Sequence, residues 1–530
     1  MKKTHLQQAN CNPWYILMTL YGEQTGNEID RDLHRKNREA WNRWIDQSIN
    51  SALREELQQA DIALPRLNTA GHNEEVRRLY TAEFHKRNGL SLTLPQMPNP
   101  EGQINLTDIR FDNIFSCEGF GFRSTMAIAN CEFQKTVDFS KTIFVEDASF
   151  SHSSFLGEFR VDGSYLRKRL KVQNTDFEAE TSMSNCRCVS SVSFDRTTFS
   201  DGLYAGASEF SGFVRLDHCK INESTDFAGS KFARGADFGG CILTAATFQS
   251  AEFTMNANFL ATVFTRGAVF GDTKFRGLAA FSGAIFSNGA VFSGASFERH
   301  SYFTGSSFSV SKAMYQDEVT FQDCTFLAPV SFKLAEFNNC YPTLTGVSLP
   351  DTASFSADDK LWPNSTDQTP EEIIETCATI RHCCARQSLP DEEHFFFRRE
   401  MAAKSQTGHW LHRLPYSIFK VVSDYGFSVA RPTLWIVAIW VLGVAAFWGF
   451  FAGCCAVQPS TDITRPFGTA VGLSFSNLFP VFGFRRVYFS EGFMVDLPAS
   501  LIFFSSLQTV LSLPLLFCLG LGLRQRFRLK

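Results

Sequence analysis

Residues 251–308 read AEFTMNANFLATVFTRGAVFGDTKFRGLAAFSGAIFSNGAVFSGASFERHSYFTGSSF. Phenylalanine recurs in this stretch at alternating intervals of six and five residues, and a small residue lies two positions before each one. In an extended segment, residues i−2 and i point to the same side. We therefore expect each phenyl ring to fill the centre of a shared interior and each small residue to fit a tight corner. The phenylalanines of this repeat core are Phe253, Phe259, Phe264, Phe270, Phe275, Phe281, Phe286, Phe292, Phe297, Phe303 and Phe308.

This repeat predicts a solenoid of short parallel strands. One unit cannot bury its apolar side alone, so successive units must stack, with each coil covering the coil below it. A helix is excluded, because intervals of five and six residues would spread phenylalanine over every face of a helical wheel. We expect four strands and roughly 22 residues per coil, about eleven coils, and a rod of about 50 Å. Corners that need a positive φ or a close backbone approach are marked by Gly267, Gly277, Gly283, Gly289 and Gly294.

Composition limits the classes of partner. The chain has 530 residues, a net charge of −4 and a pI near 6.3, so no overall polyelectrolyte character favours binding to nucleic acid or mimicry of its phosphate backbone. Among its 15 cysteines, Cys131, Cys241 and Cys324 occupy the small position of the repeat, where a thiol is a compact apolar filler. No apolar stretch follows Lys2 and Lys3, so we expect no secretory signal and a repeat in the reducing cytoplasm.

Four regions follow one another along the chain. Residues 1–103 are expected to be helical, with Trp41 and Trp44 as core contacts. Residues 104–345 form the repeat, and residues 346–431 a linker with juxtamembrane helices, including one helical segment from 371 to 404. Residues 432–530 form the last region.

That last region predicts a membrane hairpin. Residues 433–457 and 497–523 carry no charge over 25 and 27 residues, and each stretch is long enough to cross a hydrocarbon core of about 30 Å. Basic residues near span ends favour the cytoplasmic side. We therefore predict a multi-pass membrane protein, with both termini and the repeat in the cytoplasm. The flanking basic residues are Arg431, Arg524, Arg526, Arg528 and Lys530.

Between the spans, residues 467–484 are uncharged but too short to cross a bilayer. This is typical of a re-entrant or interfacial segment, and a span, re-entrant segment and span together are the layout of tetrameric cation channels. The residues that would form the pore loop are Phe479, Pro480, Val481, Phe482 and Gly483. An amphipathic interfacial segment without conduction explains the same layout. Before the first span, Arg413 and Lys420 indicate either a helix on the inner leaflet or an ordinary helix leading into the span.

The repeat of residues 104–340 resembles the pentapeptide-repeat family, which places Leu or Phe at the centre of each unit and a small residue two positions earlier. This resemblance implies a right-handed quadrilateral parallel β-helix, with corners that differ here because alternate units gain one residue. Residues 423–426, Ser-Asp-Tyr-Gly, followed by Arg431-Pro432, the two spans and the tail from Gly520 to Lys530, are similar to bacterial pentapeptide-repeat membrane proteins. This resemblance implies that the membrane is a bacterial inner membrane. Several of those proteins carry a region similar to two-span potassium channels. That family's Thr-Val-Gly-Tyr-Gly filter is replaced here by Phe-Pro-Val-Phe-Gly at 479–483, so potassium selectivity is not expected.

No motif for catalysis, for a cofactor or for a metal stands out. Phosphate-loop and Gly-x-Ser-x-Gly sequences are missing, and Cys377, His382, Cys383 and Cys384, like Cys454 with Cys455, lack the spacing of a zinc site. The residues His394, Arg398 and Glu400 are interpreted as the solvated face of a helix rather than as an acid–base group.

We therefore expect a non-enzymatic scaffold: a cytoplasmic β-helix anchored in lipid by the hairpin and presented to an unknown protein partner. The alternative is a homo-oligomeric channel or channel-like protein with a degenerate pore loop. No nucleic-acid partner and no cofactor are expected in either case.

Overall fold

A computed structural model of the chain describes residues 6–46, 51–59, 72–311, 318–453, 465–489, 493 and 497–527. It divides into two compact units. One comprises Met1–Gln368 with Cys383–Ser388, and the other Thr369–His382 with Leu389–Lys530. Cys454 and Cys455, and with them the end of the predicted span 433–457, lie outside the described residues.

The described α-helices are α1 Pro13–Met18, α2 Arg31–Asp46, α3 Ser51–Gln59, α4 His72–Asn88, α5 Pro370–Arg386, α6 Pro390–Lys404, α7 Trp410–Ser423, α8 Ala430–Phe451, α9 Pro466–Leu478, α10 Phe484–Tyr488 and α11 Ala499–Phe527. Short 3₁₀ helices cover Ala9–Cys11, Asp359–Leu361 and Pro480–Phe482. The segment predicted as helical from 371 to 404 is helical at both ends but divided, because α5 and α6 are separate helices. Ser388 between them has a φ of 57°, and Pro390 begins α6 because it cannot continue α5.

Four parallel sheets form the solenoid, numbered here in the order in which each coil visits them. Sheet 1 contains Ile104–Thr107, Met126–Ala129, Ala148–Ser151, Leu170–Gln173, Val192–Asp195, Val214–Asp217, Ala236–Asp237, Ala257–Asn258, Ala279–Ala280, Ser301–Tyr302, Val330–Phe332 and Ser354–Phe355. Sheet 2 contains Gln7–Gln8, Ile109–Phe111, Glu132–Phe133, Ser154–Phe155, Asp176–Phe177, Thr198–Phe199, Lys220–Ile221, Ile242–Leu243, Val263–Phe264, Ile285–Phe286, Ser307–Phe308 and Glu336–Phe337. Sheet 3 contains Phe115–Ser116, Val137–Asp138, Phe159–Arg160, Thr181–Ser182, Leu203–Tyr204, Thr225–Asp226, Ala246–Thr247, Ala268–Val269, Ala290–Val291 and Val319–Thr320. Sheet 4 contains Gly121–Phe122, Ile143–Phe144, Tyr165–Leu166, Arg187–Cys188, Glu209–Phe210, Lys231–Phe232, Glu252–Phe253, Lys274–Phe275, Ser296–Phe297 and Thr325–Phe326.

This architecture confirms the predicted quadrilateral parallel β-helix of about 11 coils. All eleven repeat-core phenylalanines are fully buried. Phenylalanines that are one coil apart stack face to face: the ring centroids of Phe259 and Phe281, and of Phe281 and Phe303, are 4.9 Å apart. The strand register places each ring directly above its counterpart in the coil below, so the interior is filled by columns of stacked rings.

The alternation of five and six residues corresponds to two kinds of corner. At a five-residue interval the chain makes a tight turn: the Thr262 amide donates to the Phe259 carbonyl over 3.2 Å, and Ala261 has a φ of 53°. A positive φ at the third residue is the geometry of a type II turn. At a six-residue interval the corner is wider and lies against the coil below. A Cβ added to Gly277 there would lie 2.3 Å from the Met255 carbonyl carbon, so only glycine fits.

Where the small residue of the repeat carries a hydroxyl, it can also supply a hydrogen bond. The Thr273 hydroxyl donates to the Phe248 carbonyl over 2.7 Å, and the Ser306 hydroxyl to the Phe281 carbonyl over 2.6 Å. Each bond reaches the coil below, 25 residues earlier in the chain. The position therefore selects for smallness and, at many coils, for a donor that satisfies a buried carbonyl.

Helices α1 and α2 cover the first coil. The Trp41 indole donates to the Gly121 carbonyl over 2.8 Å and stacks on Phe120, with ring centroids 5.9 Å apart. Tyr15 packs edge-on against Phe111 at 5.3 Å. Trp41 and Trp44 are core residues, as predicted, but the core that Trp41 completes is shared with the solenoid. Helices α1 and α2 therefore form a cap that covers the apolar end of the solenoid, as solenoid proteins require for solubility.

The Asn12-Pro13-Trp14-Tyr15 sequence has a role in that cap. The Asn12 side-chain oxygen accepts from the Trp14 amide over 2.9 Å, while its amide group donates to the Asn105 carbonyl over 3.1 Å. One asparagine therefore begins α1 and joins it to the first strand of sheet 1. At the other end of the solenoid, Trp362 stacks on Phe337 with ring centroids 4.8 Å apart and closes that column of rings.

Candidate functional site

The second unit contains two helices that are long and apolar enough to cross a membrane. They are α8, over Ala430–Phe451, and the part of α11 from Ala499 to Arg524. Large apolar side chains on their outer faces are exposed: Leu434, Leu442, Phe503, Val510 and Phe517. Such a surface suits lipid, because hydrocarbon does not penalise exposed leucine or phenylalanine.

Helix α9 lies between these two helices and runs opposite to α8. Its beginning is near the end of α8, where the rings of Phe467 and Trp448 are 5.7 Å apart. Its last residue, Leu478, packs in one cluster with Ile436 of α8 and Leu515 of α11. Helix α9 therefore starts beside the far end of α8 and ends well inside the length of both long helices.

A buried polar network joins the three helices at mid-length. The Gln508 amide of α11 donates to the Ser474 hydroxyl of α9 over 2.7 Å, and that hydroxyl donates to the Trp440 carbonyl of α8 over 2.9 Å. The Asn477 amide donates to the Gln508 side-chain oxygen over 3.1 Å. The Ser505 hydroxyl donates to the Asn477 side-chain oxygen over 3.0 Å.

These side chains are almost completely buried. Each of them bonds to another member or to a backbone carbonyl, so the network needs no water. Polar side chains at this depth in an apolar bundle act as joints between helices. Gly443 of α8 makes room for the joint, because a Cβ at this position would lie 2.3 Å from the Ser474 hydroxyl oxygen.

The sequence reasoning missed this network. A signal was present: Ser505, Gln508 and Ser512 recur at i, i+3 and i+7 inside an uncharged stretch and share one helical face. The partners Ser474 and Asn477 lie about 30 residues away on a separate helix, as the separations of 34 and 31 residues to Gln508 record.

The predicted pore-loop residues form the turn after α9. Pro480–Phe482 is a 3₁₀ helix, Gly483 has a φ of 67°, and Phe479 is half-buried. The carbonyls of Phe479 and Pro480 accept from the Phe482 and Gly483 amides over 3.2 and 3.5 Å. A filter presents its carbonyls to ions, whereas these two carbonyls are used within the turn. Val481 and Phe482 are 79% and 68% exposed.

The basic residues predicted to flank the membrane lie at the ends of the two long helices. Arg431 is the second residue of α8, donates to the Lys420 carbonyl over 3.0 Å and lies 3.6 Å from the Asp424 carboxylate. Arg524 is exposed near the end of α11. Arg528 and Lys530, and the side chain of Arg526, lie outside the described residues. Their role at the membrane remains a prediction.

The interpretation of His394, Arg398 and Glu400 as a solvated face is wrong. The Glu400 side chain is 4% exposed and is held by Arg381 at 2.8 Å and Lys404 at 2.7 Å. Despite burial, these hydrogen bonds and charges lower the pKa of Glu400. Two cations bonded to one buried carboxylate form a structural ion cluster.

His394 and Arg398 contact the turn that leads into α8. Burial, and then the neighbouring Arg398 charge, lower the pKa of His394 to about 4. Its ring stacks on Phe427 with centroids 4.7 Å apart. Arg398 pairs with the Asp424 carboxylate over 3.2 Å. Asp424, Tyr425 and Gly426 all have a positive φ, and this left-handed run redirects the chain between α7 and α8.

The three described cysteines considered as ligands, Cys377, Cys383 and Cys384, are all buried. Cys377 is buried and burial raises the pKa of its thiol to about 12, whereas His382 is exposed. Within the described residues, no three His, Cys, Asp or Glu side chains lie close enough together to hold a metal ion.

No protein-family model matches the chain, and no curated protein and no solved structure matches it either.

Proposed function

We propose that this protein is a membrane-anchored scaffold whose β-helix presents a binding surface to a protein partner. The observation that carries the proposal is the packing of α8 and α11 around α9, which buries the polar network of Gln508 and Ser474 and leaves large apolar side chains of both long helices exposed. A soluble protein rarely exposes so large an apolar surface. The inner membrane of a bacterium, with the β-helix on the cytoplasmic side, agrees with the basic residues Arg431 and Arg524 and with the resemblance to pentapeptide-repeat membrane proteins.

One face of the β-helix is occupied by its own charges. Outward residues of sheet 4 alternate in sign from coil to coil, and their register places each beside the next. Glu209 lies 4.0 Å from Arg187 and 3.7 Å from Lys231. Because neighbouring charges compensate one another, this face fixes strand register more than it attracts a charged partner. The ladder consists of Arg187, Glu209, Lys231, Glu252 and Lys274.

Another face is apolar and open. On sheet 2, Ile242, Val263 and Ile285 follow one another in three successive coils and point outward, and Leu260 is exposed at the adjoining corner. β-Branched side chains on a flat, parallel-stranded surface offer rigid apolar contact to a partner. We name Ile242, Leu260, Val263 and Ile285 the sheet 2 patch and propose it as the contact surface.

Crosslinking in intact membranes, followed by mass spectrometry, tests this proposal. The full chain should yield crosslinks from Lys220, next to the sheet 2 patch, to peptides of a foreign protein. The variant Ile242→Lys with Ile285→Lys should lose them, because buried lysine at a partner interface is costly. As a matched control, Lys274→Ser on the charge ladder should retain them. If the double lysine variant kept its crosslinks to a foreign protein, or if crosslinks formed only within the chain, the scaffold proposal would be contradicted.

A further inference from the structure

Two arginines follow the turn at the end of α9. Arg485 and Arg486 lie in α10, and both are exposed, as are the neighbouring Val487 and Tyr488. Within the part of the chain that the structure describes, no carboxylate lies within ion-pair distance of either arginine. This short helix was not among the predicted site residues.

The contacts of the turn place these arginines near the middle of the hairpin. Just before them, Phe484 packs against Phe475 of α9, with ring centroids 5.6 Å apart. Just after them, Phe489 lies beside Gly472, whose added Cβ would be 3.6 Å from the phenyl ring. Arg485 and Arg486 are therefore level with the second half of α9.

That half of α9 is level with the centres of the long helices. Ser474 bonds to the Trp440 carbonyl within α8, and Leu478 packs on Leu515 within α11. If α8 and α11 cross the bilayer, as the proposed function requires, both arginines lie at membrane depth. Charged side chains at that depth face a water-filled cavity or a protein interior, because exposure to hydrocarbon is costly.

The backbone gives a second and independent argument. Residues 479–483 are not α-helical, and the side chains of Val481 and Phe482 are largely exposed. Irregular backbone at membrane depth is tolerated only where protein covers it or where it lines water. Among the residues of the hairpin that the structure describes, none covers this turn or the two arginines, so this face is incomplete in a single copy.

We infer that further copies of the same chain cover this face and enclose a water-filled pore lined by Arg485 and Arg486. The exposed side chains of Val481, Phe482 and Val487 supply apolar contacts between copies, and the arginines face water. Rings of arginine attract anions and repel cations. The pore therefore takes small inorganic anions such as chloride, in contrast to the cation pore of the two-span layout. This inference rests on the proposed membrane anchor and goes beyond it.

The experiment uses the full chain reconstituted in liposomes and planar bilayers. Flotation with the liposomes establishes insertion, subunit counting by photobleaching measures self-association, and the reversal potential in a potassium chloride gradient measures selectivity. We expect oligomers that favour chloride over potassium by about tenfold, the effect of two close charges in a partly dry pore.

Variants separate charge from architecture. Arg485→Gln with Arg486→Gln should lower the chloride preference about tenfold, towards none, whereas Arg485→Lys with Arg486→Lys should keep it. Single copies, silent oligomers or a preference for potassium would each overturn the inference while leaving the anchor intact. Failure of the chain to float with liposomes would instead overturn the anchor itself.

Discussion

The Gln508 side-chain amide lies 2.7 Å from the Ser474 hydroxyl oxygen and joins α11 to α9 inside the hairpin. Gly443 provides the space for this contact, because its added Cβ would lie 2.5 Å from the Gln508 nitrogen. We expect Gly443→Ala to reduce the free energy of unfolding of the hairpin by about 1–3 kcal/mol through overpacking. Denaturant titration in detergent micelles measures this change by loss of helical circular dichroism.

Gly449 on the same helix is the matched control. A Cβ there would meet nothing within 4 Å, so Gly449→Ala should be neutral or stabilise the helix by up to about 1 kcal/mol. Equal losses for the two variants would show that the joint around Gln508 is not formed as described.

The stacked rings predict a sharp contrast between two adjacent residues. Phe286 is buried between Phe264 and Phe308, at 4.8 and 4.9 Å, whereas Ile285 is 43% exposed. Phe286→Ala should cost about 3–5 kcal/mol, and Ile285→Ala should stay within about 0.5 kcal/mol. Because a solenoid need not unfold in one step, the readout is amide hydrogen exchange in residues 264–308. Similar exchange rates in both variants would contradict the ring columns.

Two substitutions of Thr273 separate the hydrogen bond of its hydroxyl from the packing of its methyl group. Thr273→Val removes the donor to the Phe248 carbonyl and should cost about 1 kcal/mol. Thr273→Ser keeps the donor and should lose less. Thermal melting of the β-sheet circular dichroism signal compares the two, and a serine variant less stable than the valine variant would assign the position to packing alone.

The cap predicts local rather than global loosening. Trp41→Phe removes the hydrogen bond to the Gly121 carbonyl, and we expect a loss of about 1 kcal/mol. Trp41→Ala also leaves a cavity and should cost about 3–5 kcal/mol. Since each coil contacts only its neighbours, hydrogen exchange should accelerate in residues 104–130 and remain unchanged in residues 264–308. Uniform acceleration along the solenoid would exclude a local cap.

The buried His394 predicts that the stability of the folded chain depends on pH. Its pKa is about 4 in the folded chain against 6.5 as the ordinary value, so the unfolded chain takes up the proton first. Stability is therefore full above pH 6.5 and falls as the pH drops towards 4, by about 1–2 kcal/mol after screening by solvent. Unfolding midpoints across this range measure the slope. His394→Gln should flatten it, and an unchanged slope would assign the dependence to other groups.

The solenoid was accessible to sequence reasoning because its period is a property of neighbouring residues. The spacing of the phenylalanines from Phe253 to Phe308 predicts parallel strands and about 22 residues per coil, and the structure has both features. The cap was not accessible, since Trp41 and Gly121 are 80 residues apart and nothing local links them. The burial of Glu400 was missed for a related reason: its partner Arg381 lies 19 residues away, on α5. A charged residue such as Glu400 is interpreted as solvent-exposed when the distant residue that neutralises its charge is not recognised.

The two long apolar helices were predictable in length but not in their contacts with each other and with α9. Uncharged stretches gave the two long helices, while the direction of α9 and the joint at Ser474 depend on packing between separate segments. The turn at 479–483 was identified as the candidate pore loop from its position, yet the neighbouring Arg485 and Arg486 carry the stronger physical constraint.

Alkaline extraction of membranes from cells that express the full chain tests the membrane-tethered β-helix most directly. The account predicts that the full chain stays in the pellet, whereas a variant lacking residues 425–530 is released as soluble protein that keeps its β-sheet circular dichroism. A full chain released into the supernatant, or a truncated chain that remains with the membranes, would contradict it.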